Sequence, residues 1–233
     1  MAGLPRPLVL LGPPGAGKGT QARELARRFE VPQIATGDMF RDHVARGTGL
    51  GRQAKAVMER GALVSDEIVS AMVEERVTQP DCRRGFVLDG FPRTLAQAKR
   101  LEEILAAAGF AALLVINLKV SYDSLFRRLT GRRTCKLCGA IYNLYDRPPR
   151  VAERCDRDAG ELVQRADDRE EVIRERLAAY ERETMPLVDF YRGQGGLVEL
   201  NADESPETVT RRLIELLEAL PASLPAGGRA AAR

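Results

Sequence analysis

The segment richest in chemistry is Gly12-Pro13-Pro14-Gly15-Ala16-Gly17-Lys18-Gly19-Thr20. It lies between an apolar run, Leu8 to Leu11, and a segment of helical period, Gly19 to Phe29. This is the G-x-x-x-x-G-K spacing of a phosphate loop, in the strand–loop–helix context that the motif requires. Glycines let successive backbone N–H groups converge on one anion, and the helix N-terminus adds partial positive charge. Lys18 supplies a mobile full charge near the β- and γ-phosphates. Gly19 stands where the motif expects the Ser or Thr that contacts magnesium, so Thr20 is the candidate substitute. Such a loop binds a nucleoside triphosphate or another phosphorylated ligand; it does not name the reaction.

Three further groups have the composition of an anion site. Thr36-Gly37-Asp38-Met39-Phe40-Arg41 places a hydroxyl and an arginine just after a weak strand. Asp89-Gly90-Phe91-Pro92-Arg93 leaves a core strand at its carboxyl end, with Gln97 one turn beyond Arg93. Asp89 follows Phe86-Val87-Leu88 in the position of a carboxylate that holds Mg²⁺ directly or through water. Arg128 and Arg132 are one helical turn apart, with Arg165 and Arg176 downstream. Arginine suits bidentate phosphate recognition. Yet all but five of the 36 basic residues are arginine, so abundance selects none of them and spacing must.

The second constellation is the ladder Cys135-x₂-Cys138-x₁₆-Cys155-x₂-Asp158. It has the spacing of a zinc ribbon whose fourth ligand is a carboxylate, with Asp156 the alternative. Four protein ligands leave no open coordination position, so the site reads as structural. A redox C-x-x-C would open the first core helix, and this one does not. Cys82 stands alone and reads as an incidental thiol. His43, beside Arg41 and Asp42, reads as a solvated or packing residue.

These groups need a scaffold. Leu8–Leu11, Phe86–Leu88, Leu113–Leu118, Leu197–Leu200 and a weaker Val31–Ile34 read as short strands without alternation, the pattern of a parallel sheet covered on both faces. The expected class is α/β, with a core formed by residues 1–35, 65–130 and 169–220. Residues 36–64 and 131–168 read as inserts at the carboxyl edge of the sheet. Gly37, Gly47, Gly49 and Gly51 in the first insert and Gly131 at the start of the second are candidate hinges. A last helix follows Ser205-Pro206, with Val209, Leu213, Leu216, Leu217 and Leu220 as its apolar stripe. The Pro-, Ala-, Gly- and Arg-rich residues 221–233 read as a disordered tail.

Composition narrows the function. A net charge of +3 is too small to argue for nucleic acid, and no apolar run approaches the length of a membrane span. The expected setting is cytoplasmic, with free thiols. A chain of 233 residues can bury a core without disulfides.

The strings Gly-Pro-Pro-Gly-Ala-Gly-Lys-Gly-Thr-Gln, Thr-Gly-Asp-Met-Phe-Arg, Gly-Phe-Val-Leu-Asp-Gly-Phe-Pro-Arg-Thr and Arg-Ala-Asp-Asp, in this order, closely resemble the adenylate kinase family. The resemblance is to its long-lid, zinc-bearing bacterial form and runs from about Leu8 to Leu220. Glycine at position 19 is itself that family's pattern. The resemblance implies a P-loop kinase core with a five-stranded parallel sheet and two mobile inserts, a nucleoside-monophosphate domain and a lid. It implies reversible transfer from Mg·ATP to AMP, giving two ADP. ATP phosphates would lie on Gly15, Ala16, Gly17, Lys18, Gly19 and Thr20, with Arg128, Arg132, Ile141, Tyr142 and the Glu204 backbone on the ATP side. AMP would meet Thr36, Arg41, Ala62, Leu63, Val64, Gly90, Phe91, Pro92, Arg93 and Gln97. Arg165 and Arg176 would complete the AMP and transferring-phosphoryl site. The expected partners are ATP, AMP and ADP, for a monomer that binds neither nucleic acid nor membrane. Two rivals remain: a kinase for UMP, CMP or GMP on the same scaffold, and a zinc-ribbon nucleic-acid-binding protein.

Overall fold

A computed structural model describes residue 4 and residues 6–110 and 112–219. The chain opens with β1 (Leu8–Leu11), α1 (Lys18–Phe29) and β2 (Gln33–Ala35). Three helices follow, α2 (Thr36–Ala45), α3 (Gly49–Glu59) and α4 (Asp66–Val77), then β3 (Val87–Asp89), α5 (Leu95–Ala107), β4 (Leu114–Lys119) and α6 (Tyr122–Thr130). Next come β5 (Arg132–Cys135), β6 (Ile141–Asn143) and β7 (Leu162–Val163). The chain returns through α7 (Glu170–Ala179), α8 (Pro186–Gly193), β8 (Leu197–Asn201) and α9 (Pro206–Ala219).

Five strands form one parallel sheet in the order β2-β3-β1-β4-β8. All four residues of β1 are buried. Leu8 and Leu10 pack on one face with Leu25, Leu129, Ile173 and Leu213; Val9 and Leu11 pack on the other with Phe40, Val73, Leu101 and Leu187. Apolar residues at every position of β1 therefore follow from helices on both faces. The connection from β1 runs to β2 on one side, whereas that from its neighbour β3 runs to β4 on the other. The carboxyl end of β1 is thus the crevice where an open α/β sheet takes its ligand. The phosphate loop leaves the sheet at that point.

The second strand begins later than its apolar run. Pro32 has no N–H to donate and serves the sheet only through its carbonyl, which accepts from Val87 N–H at 3.0 Å. Regular pairing begins at Gln33.

Residues 36–64 are largely helical. Thr48 caps α3 by accepting from Gly51 N–H at 3.0 Å, and His43 Nδ1 lies 3.0 Å from the same hydroxyl. The glycine hinges expected in residues 36–64 reduce to Gly47, at φ +64° in the α2–α3 connection. Gly37 lies inside α2, and Gly49 and Gly51 lie inside α3. A Cβ on Gly51 would sit 2.1 Å from the His43 carbonyl oxygen, so that glycine permits two helices to approach. Gly131 is likewise not a hinge by conformation: it ends α6 at φ −78°, and the Tyr145 ring occupies the space a Cβ would need.

Residues 131–168 form a small antiparallel sheet in the order β6-β5-β7. In α9, Val209, Leu213 and Leu217 are buried and Leu216 packs against them. Leu220 and the 221–233 tail lie outside the described residues. Among the described residues, no helix is long and apolar enough to cross a membrane.

Candidate active site

Gly17, in the left-handed region at φ 90°, turns the chain from the phosphate loop into α1. Lys18 folds back over the loop and donates to the carbonyls of Gly12 at 2.6 Å and Pro13 at 2.9 Å. Across from it, Asp89 leaves β3 with its Oδ2 only 3.0 Å from where a Gly19 Cβ would be. A serine or threonine at position 19 would press on that carboxylate, which gives the glycine a local physical reason. Burial lowers the Lys18 ammonium to about 8, and burial raises the Asp89 carboxyl; each group opposes the other's shift. The pair therefore carries charge that a polyphosphate and its cation would stabilise.

A cleft of about 740 Å³ opens above this pair. Gly15, Ala16, Gly17, Lys18, Gly19 and Thr20 line it on one side; Thr36, Arg41, Ala62, Leu63, Val64, Gly90, Pro92, Arg93 and Gln97 line it on the other. Asp89, Arg128, Arg132, Arg165, Arg176, Ile141, Tyr142 and Glu204 also face it. The sequence reading therefore converges on one space, with one exception. The Phe91 side chain is 1% exposed and sits in the apolar core with Leu88 and Leu101, while Gly90 and Pro92 on either side line the cleft.

Short bonds fix the second half of the cleft. Thr36 Oγ1 donates to the Gly90 carbonyl at 3.0 Å, joining the start of α2 to the end of β3. Arg93 Nε donates to the same carbonyl at 2.8 Å. A π-helical turn over Tyr180–Thr184 brings Thr184 Oγ1 to the Arg93 carbonyl at 2.9 Å. Arg41 pairs with Asp38, which holds that carboxyl below its usual range despite burial.

The arginines are placed by acids to which the sequence reading gave no role. Asp168 is fully buried; it accepts from Arg132 Nε at 2.7 Å and from Arg176 at 3.0 Å. Asp167 Oδ2 lies 3.1 Å from Arg176. Arg165, which donates to Thr134 Oγ1 at 3.0 Å, is lowered to about 9 by burial, with Arg132 and Arg41 adding repulsion. Burial also lowers Arg93 and Arg176, which repel each other. Two carboxylates thus do not neutralise the cluster, and the cleft keeps positive charge facing inward. Arg128 donates to the Glu204 carbonyl at 3.2 Å, so that backbone group is engaged by protein, while the Glu204 carboxylate pairs with Arg212 at 2.7 Å. Asp146 and Arg147, between β6 and β7, line the cleft too, without a motif that would have selected them.

The four residues of the cysteine ladder meet. Ligand atoms of Cys135, Cys138, Cys155 and Asp158 all lie within 4.8 Å of one another. Cys138 Sγ and Cys155 Sγ are 3.6 Å apart, and Cys135 Sγ is 3.3 Å from Asp158 Oδ1. Tetrahedral zinc with Zn–S near 2.3 Å and Zn–O near 2.1 Å has edges of about 3.8 Å and 3.6 Å, so the donors fit that ion. Leu137 N–H donates to Cys135 Sγ at 3.3 Å and Arg157 N–H to Cys155 Sγ at 3.4 Å, two matching knuckles. Gly160 is part of the cradle: a Cβ there would lie 2.8 Å from Cys135 Sγ and 2.9 Å from Asp158 Oδ1. The alternative ligand, Asp156, is turned away and accepts from Arg150 N–H at 2.9 Å. Tyr142 serves both regions, facing the cleft while its hydroxyl accepts from Asp156 N–H at 2.8 Å. Cys82 is buried beside Arg76, and desolvation pushes its thiol up to about 11, which leaves it unreactive.

A family model described as adenylate kinase matches residues 10–196. A relative from Thermodesulfovibrio yellowstonii, named adenylate kinase, is 50% identical over 211 residues, covering 91% of this chain and 98% of the relative. An Archaeoglobus fulgidus protein of the same name is 49% identical, covering 91% and 97%. One from Moorella thermoacetica is 52% identical over 198 residues, covering 85% and 91%. Half the residues agree across nearly the whole length of each protein: the chain belongs to the adenylate kinase family.

Proposed function

We infer that the cleft carries the family's reaction, the reversible transfer of the γ-phosphoryl group of Mg·ATP to AMP, with the residues named above in these roles. The observation that supports it is the single space shared by the phosphate loop and the Thr36, Arg93 and Gln97 group. ATP phosphates lie over Gly15 to Thr20, with Lys18, Arg128 and Arg132 as charged partners. The AMP phosphate meets Arg41 and Arg93, and its base lies by Ala62 to Val64 and Gln97. An AMP phosphate oxygen is ionised at neutral pH and attacks without a general base, which agrees with His43 being engaged by Thr48. Catalysis then rests on positioning and on charge from Lys18, Arg93, Arg132, Arg165 and Arg176. Mg²⁺ entering with ATP supplies further neutralisation, and Asp89 would hold it through water. Residues 36–64 and 131–168 act as units that close over the core and exclude water. The ladder holds one structural Zn²⁺. The protein works as a cytoplasmic monomer without nucleic acid or membrane partners.

The test is ADP formation from ATP with AMP, UMP, CMP and GMP in turn, together with ATP hydrolysis when no acceptor is present. AMP should be strongly preferred, and hydrolysis should stay below about 1% of transfer, as exclusion of water requires. Preference for another monophosphate would reassign the acceptor, and rapid hydrolysis would remove closure.

A titration follows from Lys18. Its ammonium, lowered to about 8 in the free protein, gains charge when phosphates arrive, so ATP binding at pH 8.5 is accompanied by proton uptake. Calorimetry in buffers of different ionisation enthalpy reads that uptake directly. Lys18→Met should reduce the uptake; equal uptake in both proteins would mean that another group titrates.

A further inference from the structure

Gln97 is 2% exposed, and protein holds both ends of its amide. Its Oε1 accepts from Arg93 N–H at 2.7 Å, and its Nε2 donates to Asp66 Oδ1 at 2.7 Å. Asp66 is the first residue of α4, on a different element from Gln97. Its other oxygen accepts from Thr94 Oγ1 at 2.7 Å, and Thr94 caps α5 by accepting from Gln97 N–H at 3.2 Å. Asp66, Thr94 and Gln97 therefore close a ring of hydrogen bonds.

The donor and acceptor chemistry makes this ring directional. A carboxylate accepts and a backbone N–H donates. Turning the amide over would set its oxygen against Asp66 and its N–H against the Arg93 N–H, replacing two bonds by two repulsions in a buried place. Gln97 is held in one orientation.

In that orientation each amide atom retains one valence. Oε1 has a second lone pair and Nε2 a second hydrogen, adjacent on one edge of a side chain that lines the cleft. An acceptor beside a donor complements a base edge with an amino group next to an unprotonated ring nitrogen, as adenine presents. A 6-oxo purine presents the inverse, an acceptor beside a ring N–H, and would meet like against like. A site built to hydrogen-bond one pattern rejects the other strongly, because its own polar atoms are left unpaired.

We propose that Asp66 is a specificity-determining positioning residue, which fixes the Gln97 amide so that the acceptor site selects 6-amino over 6-oxo purine monophosphates. This rests on reading Gln97 as the contact to the base of the acceptor nucleotide. Asp66 acts through Gln97 and touches no reacting group.

AMP and IMP differ at this edge and nowhere else, which makes IMP the probe. The readout is the ratio of kcat/KM for AMP to that for IMP, with ATP as donor, in the full chain. Asp66→Asn keeps the shape but can present either an oxygen or an amino group to Gln97. It should lower the ratio at least tenfold, with thermal stability and the KM for ATP close to wild type. Asp66→Ala should move the ratio in the same direction, which keeps the test open should the first variant fold poorly. A merely structural role would weaken AMP and IMP together and leave the ratio within about threefold, and that outcome overturns the proposal. Gln97→Ala is measured alongside. A collapsed ratio there with an unchanged ratio in both Asp66 variants removes the role of Asp66 alone. An unchanged ratio in Gln97→Ala removes the base contact itself and the proposal with it.

Discussion

Lys18→Met should lower kcat by at least about 10²–10³ while the protein stays folded, the scale set by removing one preorganised charge from a transferring group. Methionine keeps the unbranched stem and loses the ammonium. In the free protein that ammonium donates to the carbonyls of Gly12, which is buried, and Pro13, which is half-buried. Burial and the neighbouring arginines Arg93, Arg176 and Arg132 already disfavour the charge, which lowers the Lys18 ammonium to about 8. Removing a disfavoured cation should leave Tm unchanged or slightly raised. The cost should fall on catalysis, since charge on the transferring phosphoryl group is greatest in the transition state. Steady-state kinetics separate the effects. A fall in kcat with little change in KM marks transition-state stabilisation, whereas a rise in KM alone marks uniform binding. Turnover above about a tenth of wild type would take Lys18 out of the mechanism.

The parts legible in the sequence are those whose chemistry is local. The phosphate loop is written in nine consecutive residues, and its strand and helix flank it directly. The cysteine ladder is legible for the same reason, as two short knuckles. Acids that serve by contact across the fold leave a weaker mark. Asp167 and Asp168 stand beside Arg165 in the chain, but their partners Arg132 and Arg176 come from two other elements. Only the fold tells a buried acid from a solvated one. Asp66 is separated from Gln97 by 31 residues and looks like any acidic residue in the first turn of a helix. Glycines misled in the opposite direction. Sequence offers Gly51 and Gly131 as free joints, while both are small because another group occupies the space, the His43 carbonyl or the Tyr145 ring. Gly160 is the counterpart: nothing near it in the sequence announces that its missing Cβ admits two ligands of the metal site. Phe91 belongs to a motif that lines the cleft, yet it points into the core, because Gly90 at φ +81° turns the chain after β3 and breaks the alternation that a sequence pattern assumes.

Cys135→Ser should release the metal and lower Tm while activity survives at temperatures well below the new transition. The reason is the poverty of the core in residues 131–168. Of the large apolar side chains there, Leu137 is 73% exposed, Tyr145 54% and Leu144 43%. What remains buried together is Cys135, Ala140, Tyr142, Cys155 and Leu162, and two of those five belong to the proposed zinc site. An antiparallel sheet of three very short strands over so small a cluster cannot hold itself together by burial alone. A metal on Cys135, Cys138, Cys155 and Asp158 ties the turn after β5 to the turn before β7, so its binding free energy becomes folding free energy. A net contribution of about 3 kcal/mol, far below the roughly 10–16 kcal/mol of isolated zinc fingers, moves Tm by about 6–12 °C in a chain of this length. Activity should survive below the transition because Lys18 on α1, Arg93 after β3 and Arg176 on α7 lie outside residues 131–168, and Arg132, though on β5, is held by Asp168 rather than by the cysteine ladder. Gly160→Ala should act in the same direction without removing a ligand, since its Cβ would intrude on Cys135 and Asp158. Elemental analysis of protein purified without chelator should find one zinc per chain in the wild type and less in both variants. Thermal melts and turnover at 25 °C complete the test. A wild type without metal would overturn the zinc assignment. A Cys135→Ser variant that melts like wild type but has lost activity would move the site from scaffold to chemistry.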